Sequence, residues 1–133
     1  MAHVYDNARQ YFASGSINLN TAVIGVTLVN TTLYTFSAAH DFLNDIPVAA
    51  RIATSSLTNV AVASGRLDAD NLSIATVAVN SVVNGMVLFV SAADSSKAPL
   101  LFIQSEGTGF PLTPDGGTVT ITFPSSDPFI LKV

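Results

Sequence analysis

Short runs of alternating apolar and polar residues extend along most of the chain, a pattern typical of β-strands. Residues 22–29 (AVIGVTLV), 86–91 (MVLFVS) and 99–104 (PLLFIQ) are predicted strands, and the second suits a central strand because it is apolar on both faces. Residues 118–123 alternate regularly, with the threonines facing outward. Gly25, inside the first strand, indicates a bulge or a close approach of neighbouring chain.

Turn residues between these runs predict how the strands connect. Residues 57–63 and 72–79 are predicted to form a hairpin, because the connecting residues 65–71 have turn chemistry. Asn84-Gly85 predicts a second hairpin, which joins the strand at residues 86–91 to the chain before it.

Two segments depart from the strand pattern. Residues 4–14 carry a narrow apolar stripe at helical spacing and end at Gly15, which predicts a short helix. The stripe leaves open whether this helix caps the sheet or whether residues 1–15 form an arm that reaches a neighbour. Asp41 is predicted to cap one helical turn near residues 41–46, which Pro47 ends.

Roughly seven or eight short strands, with turn signals about every 8–12 residues, predict a mainly β fold. We expect a single-domain β-sandwich or small β-barrel over residues 1–133, with one short helix and one helical turn.

Composition limits the classes of function. Charged residues make up only 11% of the chain, against about 25% in an average domain, and Thr, Ser, Asn and Ala take their place. Such a surface loses little hydration on contact, which favours permanent burial against a partner, although a soluble domain with an uncharged surface fits equally well. The net charge of −4 and the scattered basic residues argue against nucleic-acid binding, and no apolar run predicts a membrane helix. The polar first ten residues do not predict a secretory signal.

Candidate chemistry is sparse. His40 and Asp41 are adjacent, but no serine lies in a nucleophile setting, so we expect His40 to hydrogen-bond near the helical turn. Asp68, Asp70 and Asn71 lack the glycine and glutamate of a calcium loop. The sequence therefore predicts no enzyme, no cofactor and no metal site.

Arg51 is predicted to pair with Asp41 or Asp45 and pin the loop, or alternatively to reach a partner. The glycine pairs at residues 107–109 and 115–117 lack the lysine and helix of phosphate loops, so both are predicted to be turns with φ > 0.

Residues 40–51 (HDFLNDIPVAAR) and 109–123 (GFPLTPDGGTVTITF) resemble a group of small virion structural proteins of tailed bacteriophages. Those proteins carry a HDFL-x-DIP-x-x-AR stretch and a TG-x-P-x-TP-x-GG turn before their last strands. Phe110 and Val48-Ala49 depart from the pattern, where a smaller aliphatic residue and a glycine are common. The matching residues are His40, Asp41, Phe42, Leu43, Asp45, Ile46, Pro47, Ala50, Arg51, Gly109, Pro111, Thr113, Pro114, Gly116 and Gly117.

The resemblance implies a non-enzymatic decoration (cement) protein on the outer capsid surface of a virion. It implies the major capsid protein as a partner and a homo-oligomer, with a trimer as the first expectation. A tail or head–tail connector protein is the alternative within the same class. A carbohydrate-binding β-sandwich module is the alternative from another class, although the chain has no tryptophan and only three tyrosines for a sugar platform.

Overall fold

A computed structural model describes residues 2–63, 66–75, 77, 81–105, 113–121 and 131–132. The described part of the chain is mainly β with one α-helix, as predicted. The elements are β1 (Ala2–Val4), α1 (Asp6–Ser14), β2 (Ile24–Val29), β3 (Arg51–Ser56), β4 (Ala61–Ala63), β5 (Arg66–Asp68), β6 (Leu72–Ile74), β7 (Gly85–Val90), β8 (Leu100–Gln104), β9 (Val119–Ile121) and β10 (Leu131–Lys132), with single 3₁₀ turns at Leu43–Asp45, Val48–Ala50 and Ser95–Lys97.

A five-stranded antiparallel sheet in the order β1-β8-β7-β2-β3 organises the fold. The apolar strand β7 lies at its centre, as the sequence predicts. Every residue of β2 is buried, including Thr27, because neighbouring strands flank β2 and both of its faces are covered. Gly25 marks a close approach, since the Phe89 ring from β7 lies over it.

Two smaller antiparallel sheets complete the described fold, one in the order β10-β5-β4 and one formed by β6 and β9. Both predicted hairpins are therefore wrong. The segment expected to connect residues 57–63 and 72–79 contains strand β5, which pairs with β4, while β6 pairs with β9. Residues 84–85 do not join β7 to β6 either, because β7 pairs with β2 and β8.

The helix α1 begins at Asp6 rather than at residue 4, because Ala2–Val4 pairs with β8 as a strand. It ends at Gly15, whose φ of 76° is left-handed, and the Gly15 N–H donates to the carbonyl of Phe12. The helix lies against β8, with Ala8 fully buried. Within the described residues, no helix has both the length and the apolar content needed to cross a membrane.

Candidate functional site

The loop at residues 40–51, which carries the first motif, continues the outer edge of β8. The N–H of Leu43 donates to Ala98 O at 2.8 Å, and the N–H of Leu100 donates to Asp41 O at 2.8 Å. Further along β8, β1 pairs with Phe102–Gln104, and Tyr5 N–H donates to Leu101 O at 3.1 Å. The loop and β1 together cover the edge of β8 that faces away from β7.

Asp45 stabilises the first turn of this loop. One oxygen of its carboxylate, Oδ2, accepts the N–H of Asp41 at 2.8 Å and that of Phe42 at 3.2 Å. The predicted turn is present, but the predicted cap is wrong, because Phe42 and not Asp41 occupies the cap position, and the Asp45 carboxylate at the end of the turn accepts the amides of Asp41 and Phe42.

Pro47 separates two consecutive turns in the loop. It follows the turn at Leu43–Asp45, has extended backbone (φ −54°, ψ 142°), and precedes the turn at Val48–Ala50. Leu43, Ile46 and Ala50 are buried, whereas Val48 is 76% exposed. The loop is thus anchored by its apolar residues and presents Pro47 and Val48 to solvent.

A hydrogen-bonded chain of side chains ties the loop to α1. Tyr5 Oη lies 2.9 Å from Tyr34 Oη, which lies 2.8 Å from His40 Nδ1. When Tyr5 donates to Tyr34 and Tyr34 donates to Nδ1 of a neutral His40, both buried hydroxyl protons have acceptors. His40 is therefore bonded to Tyr34 rather than to the helical turn.

The two tyrosines are 0% and 2% exposed. Burial raises the pKa of Tyr5, and its hydrogen bond to Tyr34 raises it further. Burial also raises the pKa of Tyr34. Both hydroxyls stay protonated at neutral pH and serve as a hydrogen-bonded link.

Sequence reasoning missed Tyr5 and Tyr34, which are 29 residues apart. The only signal for Tyr5 was its place in the predicted apolar stripe, and that stripe does not identify a hydroxyl partner. An aromatic cluster accompanies the link, because the Phe36 ring lies 5.3 Å from that of His3 and 5.4 Å from that of Tyr5.

Arg51 does not form the predicted internal pair. Arg51, Asp41 and Asp45 are all described, and no ion pair within 4.0 Å joins Arg51 to either carboxylate. An exposed ion pair, Arg9–Asp6 at 3.9 Å, is present on α1. Arg51 Nε and Asp41 Oδ1 are both buried, and neither has a hydrogen-bond partner among the described residues. The alternative, that Arg51 reaches a partner, stays a prediction.

The second motif is described in part. Gly109 and Pro111 lie outside the described residues. Pro114 is buried, and Gly116 has φ of 91°, as expected of a turn glycine. The N–H of Gly117 donates to Asp115 Oδ1 at 2.9 Å, and Gly117 O accepts from Val77 at 3.2 Å. In the described part of the chain, no hydrogen bond joins this turn to the loop at residues 40–51.

The remaining candidates form local turns. Asp68 accepts from the N–H of Ala69 at 2.9 Å, and Asp70 accepts from the Asn59 amide. Across the described ranges, no three His, Asp or Glu side chains come together as metal ligands. In the loop at residues 40–51, the His40 side chain bonds to Tyr34 and the Asp45 side chain stabilises the loop's own first turn.

Comparison with known proteins does not assign a family. No protein-family model matches the chain, and no curated protein matches it.

Proposed function

We propose that this chain is a non-enzymatic structural protein of a tailed-bacteriophage virion, acting as a decoration (cement) protein on the outer capsid. The observation that carries the proposal is the HDFLNDIPVAAR stretch at residues 40–51. Its His40 side chain bonds to Tyr34, and its Asp45 side chain stabilises a turn within the stretch, which supports a structural role for the motif rather than a catalytic one.

The surface supports assembly with a partner. Among the described residues, four large aliphatic side chains are exposed, namely Val23, Leu33, Val48 and Val82. A chain with 11% charged residues desolvates such a surface at low cost when it binds a neighbour. The major capsid protein and further copies of this chain are the proposed partners.

The proposed mechanism is mass-action linkage. A protein that binds the assembled shell and not the free subunits stabilises the shell by about 2.7 kcal/mol per site at a hundred times its Kd. This mechanism requires no active site.

A sugar-binding module lacks a supporting observation. Tyr5 and Tyr34 are buried, and the other aromatic side chains among the described residues are partly or fully buried. An aromatic platform is therefore not present in the part of the chain that the structure describes.

Deletion of the gene tests the proposal. Particles without the protein are expected to lose DNA at a lower temperature or under gentler osmotic shock, and purified protein added back is expected to restore resistance. Heat-stable full heads that lack tails would instead support the connector or tail function. Absence of the protein from purified virions, measured by mass spectrometry, would overturn both.

A further inference from the structure

The hydrogen bonds from Tyr5 through Tyr34 to His40 leave no room for an additional proton. The two bonds, Tyr5–Tyr34 and Tyr34–His40, are filled by the two hydroxyl protons when His40 Nδ1 accepts. Among the described residues, Tyr34 is the only hydrogen-bond partner of the Tyr5 hydroxyl, and Tyr5 is 0% exposed. Both hydroxyls are therefore satisfied only while His40 Nδ1 carries no proton.

Protonation of His40 adds a third proton to the same two hydrogen bonds. The imidazolium ion donates at both ring nitrogens and accepts at neither, so Nδ1 would donate to Tyr34, and Tyr34 would donate to Tyr5. The Tyr5 hydroxyl proton would then have no acceptor. If Tyr5 instead keeps donating to Tyr34, the Tyr34 proton has none. One buried hydroxyl is left unsatisfied in either arrangement.

His40 can take up this proton while the chain is folded, because His40 is partly exposed whereas the two tyrosines are buried. Imidazole is the side-chain group that changes its charge between pH 5 and 8. Both tyrosines stay protonated throughout that range, since burial raises their pKa values. The proton that enters this group of side chains as the pH falls therefore enters at His40.

We propose that Tyr5, Tyr34 and His40 form an acid-sensitive latch, which holds the loop at residues 40–51 to the start of α1 when His40 is neutral and weakens when His40 is protonated. The loop and β1 both bond to β8, so the latch joins the two segments that cover this edge of the sheet. Acid is expected to loosen these segments before it affects the central strands β2 and β7. This property is independent of the proposed virion function.

Charges on the neighbouring elements offset one another. On α1, Asp6 forms an exposed ion pair with Arg9 at 3.9 Å. The 3₁₀ turn that contacts the first turn of the loop carries both an acid and a base, Asp94 and Lys97. Arg51, at the other end of the loop, begins β3, which is three strands away from β8. These groups therefore have little net effect on a charge at His40.

Two carboxylates on the loop attract an imidazolium ion and oppose the weakening of the latch. Asp41 is next to His40 in the sequence, and its buried Oδ1 has no hydrogen-bond partner within the described ranges. Besides burial, the main cause, the charge of Asp45 contributes to the raised pKa of both tyrosines, so this carboxylate faces the latch. Asp45 is exposed, and an exposed charge pair changes a folding equilibrium only about 1.4- to 5-fold. A buried hydroxyl without an acceptor changes it about 5- to 140-fold, which is the larger effect.

Urea unfolding of the whole chain between pH 8 and pH 5 tests the latch. The unfolded chain binds the His40 proton without losing a hydrogen bond, so acid favours unfolding. The folding equilibrium constant is expected to fall about 10-fold more in the wild type than in His40→Asn over this range. Asparagine is the matched control, because its side-chain oxygen can accept from Tyr34 and does not titrate.

Two further variants separate the latch from other acid effects. The chain has two histidines, and His3 Nε2 is also buried without a partner in the described part of the chain. The difference caused by His40→Asn is therefore expected to persist when both chains also carry His3→Gln. Tyr34→Phe removes the middle of the latch, so its acid loss is expected to match that of His40→Asn. Equal acid sensitivity of the wild type and His40→Asn would overturn the proposal. Greater acid resistance of the wild type would also overturn it, because the carboxylates of Asp41 and Asp45 would then dominate.

Hydrogen–deuterium exchange locates the effect. The wild type and His40→Asn are compared at the same acidic pH, which removes the intrinsic pH dependence of exchange. Faster exchange is expected in the wild type over residues 2–14 and 40–51, with no change in β2 and β7. An increase spread evenly over the sheet, or confined to other segments, would contradict a latch between the loop and α1.

Discussion

Gly25→Ala is expected to destabilise the fold because the new methyl group would clash with the ring of Phe89. A Cβ at Gly25 would lie 2.6 Å from Phe89 Cε2 and closer still to Cζ, whereas carbon atoms pack best at about 3.5–4.0 Å. The ring therefore has to move by roughly 1 Å. Phe89 is 4% exposed, so its neighbours oppose that movement. Overpacking of this kind costs about 1–3 kcal/mol, which exceeds the 0.5–1 kcal/mol that alanine contributes over glycine within a strand.

A double-mutant cycle isolates the contact. Phe89→Leu alone leaves a cavity, but combined with Gly25→Ala it provides room for the new methyl group. The two changes are expected to be non-additive by about 1–2 kcal/mol in the stabilising direction. Urea unfolding monitored by circular dichroism measures the four free energies of unfolding.

Phe102→Leu is the matched control. Phe102 lies on β8, which is separated from β2 by β7, so it is about 10 Å away. Its combination with Gly25→Ala is expected to be additive within about 0.5 kcal/mol. Additivity of Gly25→Ala with Phe89→Leu as well would refute the argument that the ring is what excludes a side chain at Gly25.

Raised pKa values of two buried tyrosines predict alkaline destabilisation. Their contribution is fully present below the unfolded pKa of about 10 and falls above it, by about 1.4 kcal/mol per pH unit for Tyr5. Tyr5→Phe is therefore expected to reduce the slope of the urea-unfolding free energy between pH 10 and 11. Asp45→Ala removes the acceptor of two backbone amides and is expected to cost about 1 kcal/mol, whereas Asp45→Asn, which keeps an acceptor, should cost less in the same assay. Gly116→Ala places a Cβ at φ of 91° and is expected to lower stability by about 1–2 kcal/mol, with Thr118→Ala near neutral as the comparison.

Local patterns predicted the long apolar strands β2, β7 and β8 well, missed the short strands β1 and β5, and predicted strand partners poorly. The runs around β2, β7 and β8 were identified because their apolar residues are buried on one or both faces. Strand β6 was paired with the wrong neighbour, since alternation shows that Leu72 and Ile74 face a core but does not identify Ile121 and Val119 as the residues opposite them. Asn84 illustrates the same limit: its side chain accepts from Thr31, 53 residues away, where a local hairpin was predicted.

The loop at residues 40–51 shows how far motif reasoning extends. The turn, the effect of Pro47 and the turn glycine at Gly116 were predictable because each depends on backbone chemistry within a few residues. The link from Tyr5 through Tyr34 to His40 was not, because it joins side chains that only the tertiary fold brings together. The predicted ion pair of Arg51 failed for the same reason: the tertiary fold decides where side chains lie. Although Arg51 is close in sequence to Asp41 and Asp45, the fold does not bring its guanidinium to either carboxylate.

Strand β1 and the loop at residues 40–51, which bond to the outer edge of β8, have a consequence for the synthesis of the chain. Strand β1 and the loop at residues 40–51 are made early, but the strand they bond to spans residues 100–104. At translation rates of about 5–20 residues per second, β1 waits about 5–20 s for the residues it pairs with. During that time the amides of β1 are satisfied by water, and the apolar residues around Tyr5 have no sheet to cover. Ribosome-bound chains that end before residue 100 therefore expose β1 and the residues around Tyr5. This segment becomes covered only after β8 has been synthesised.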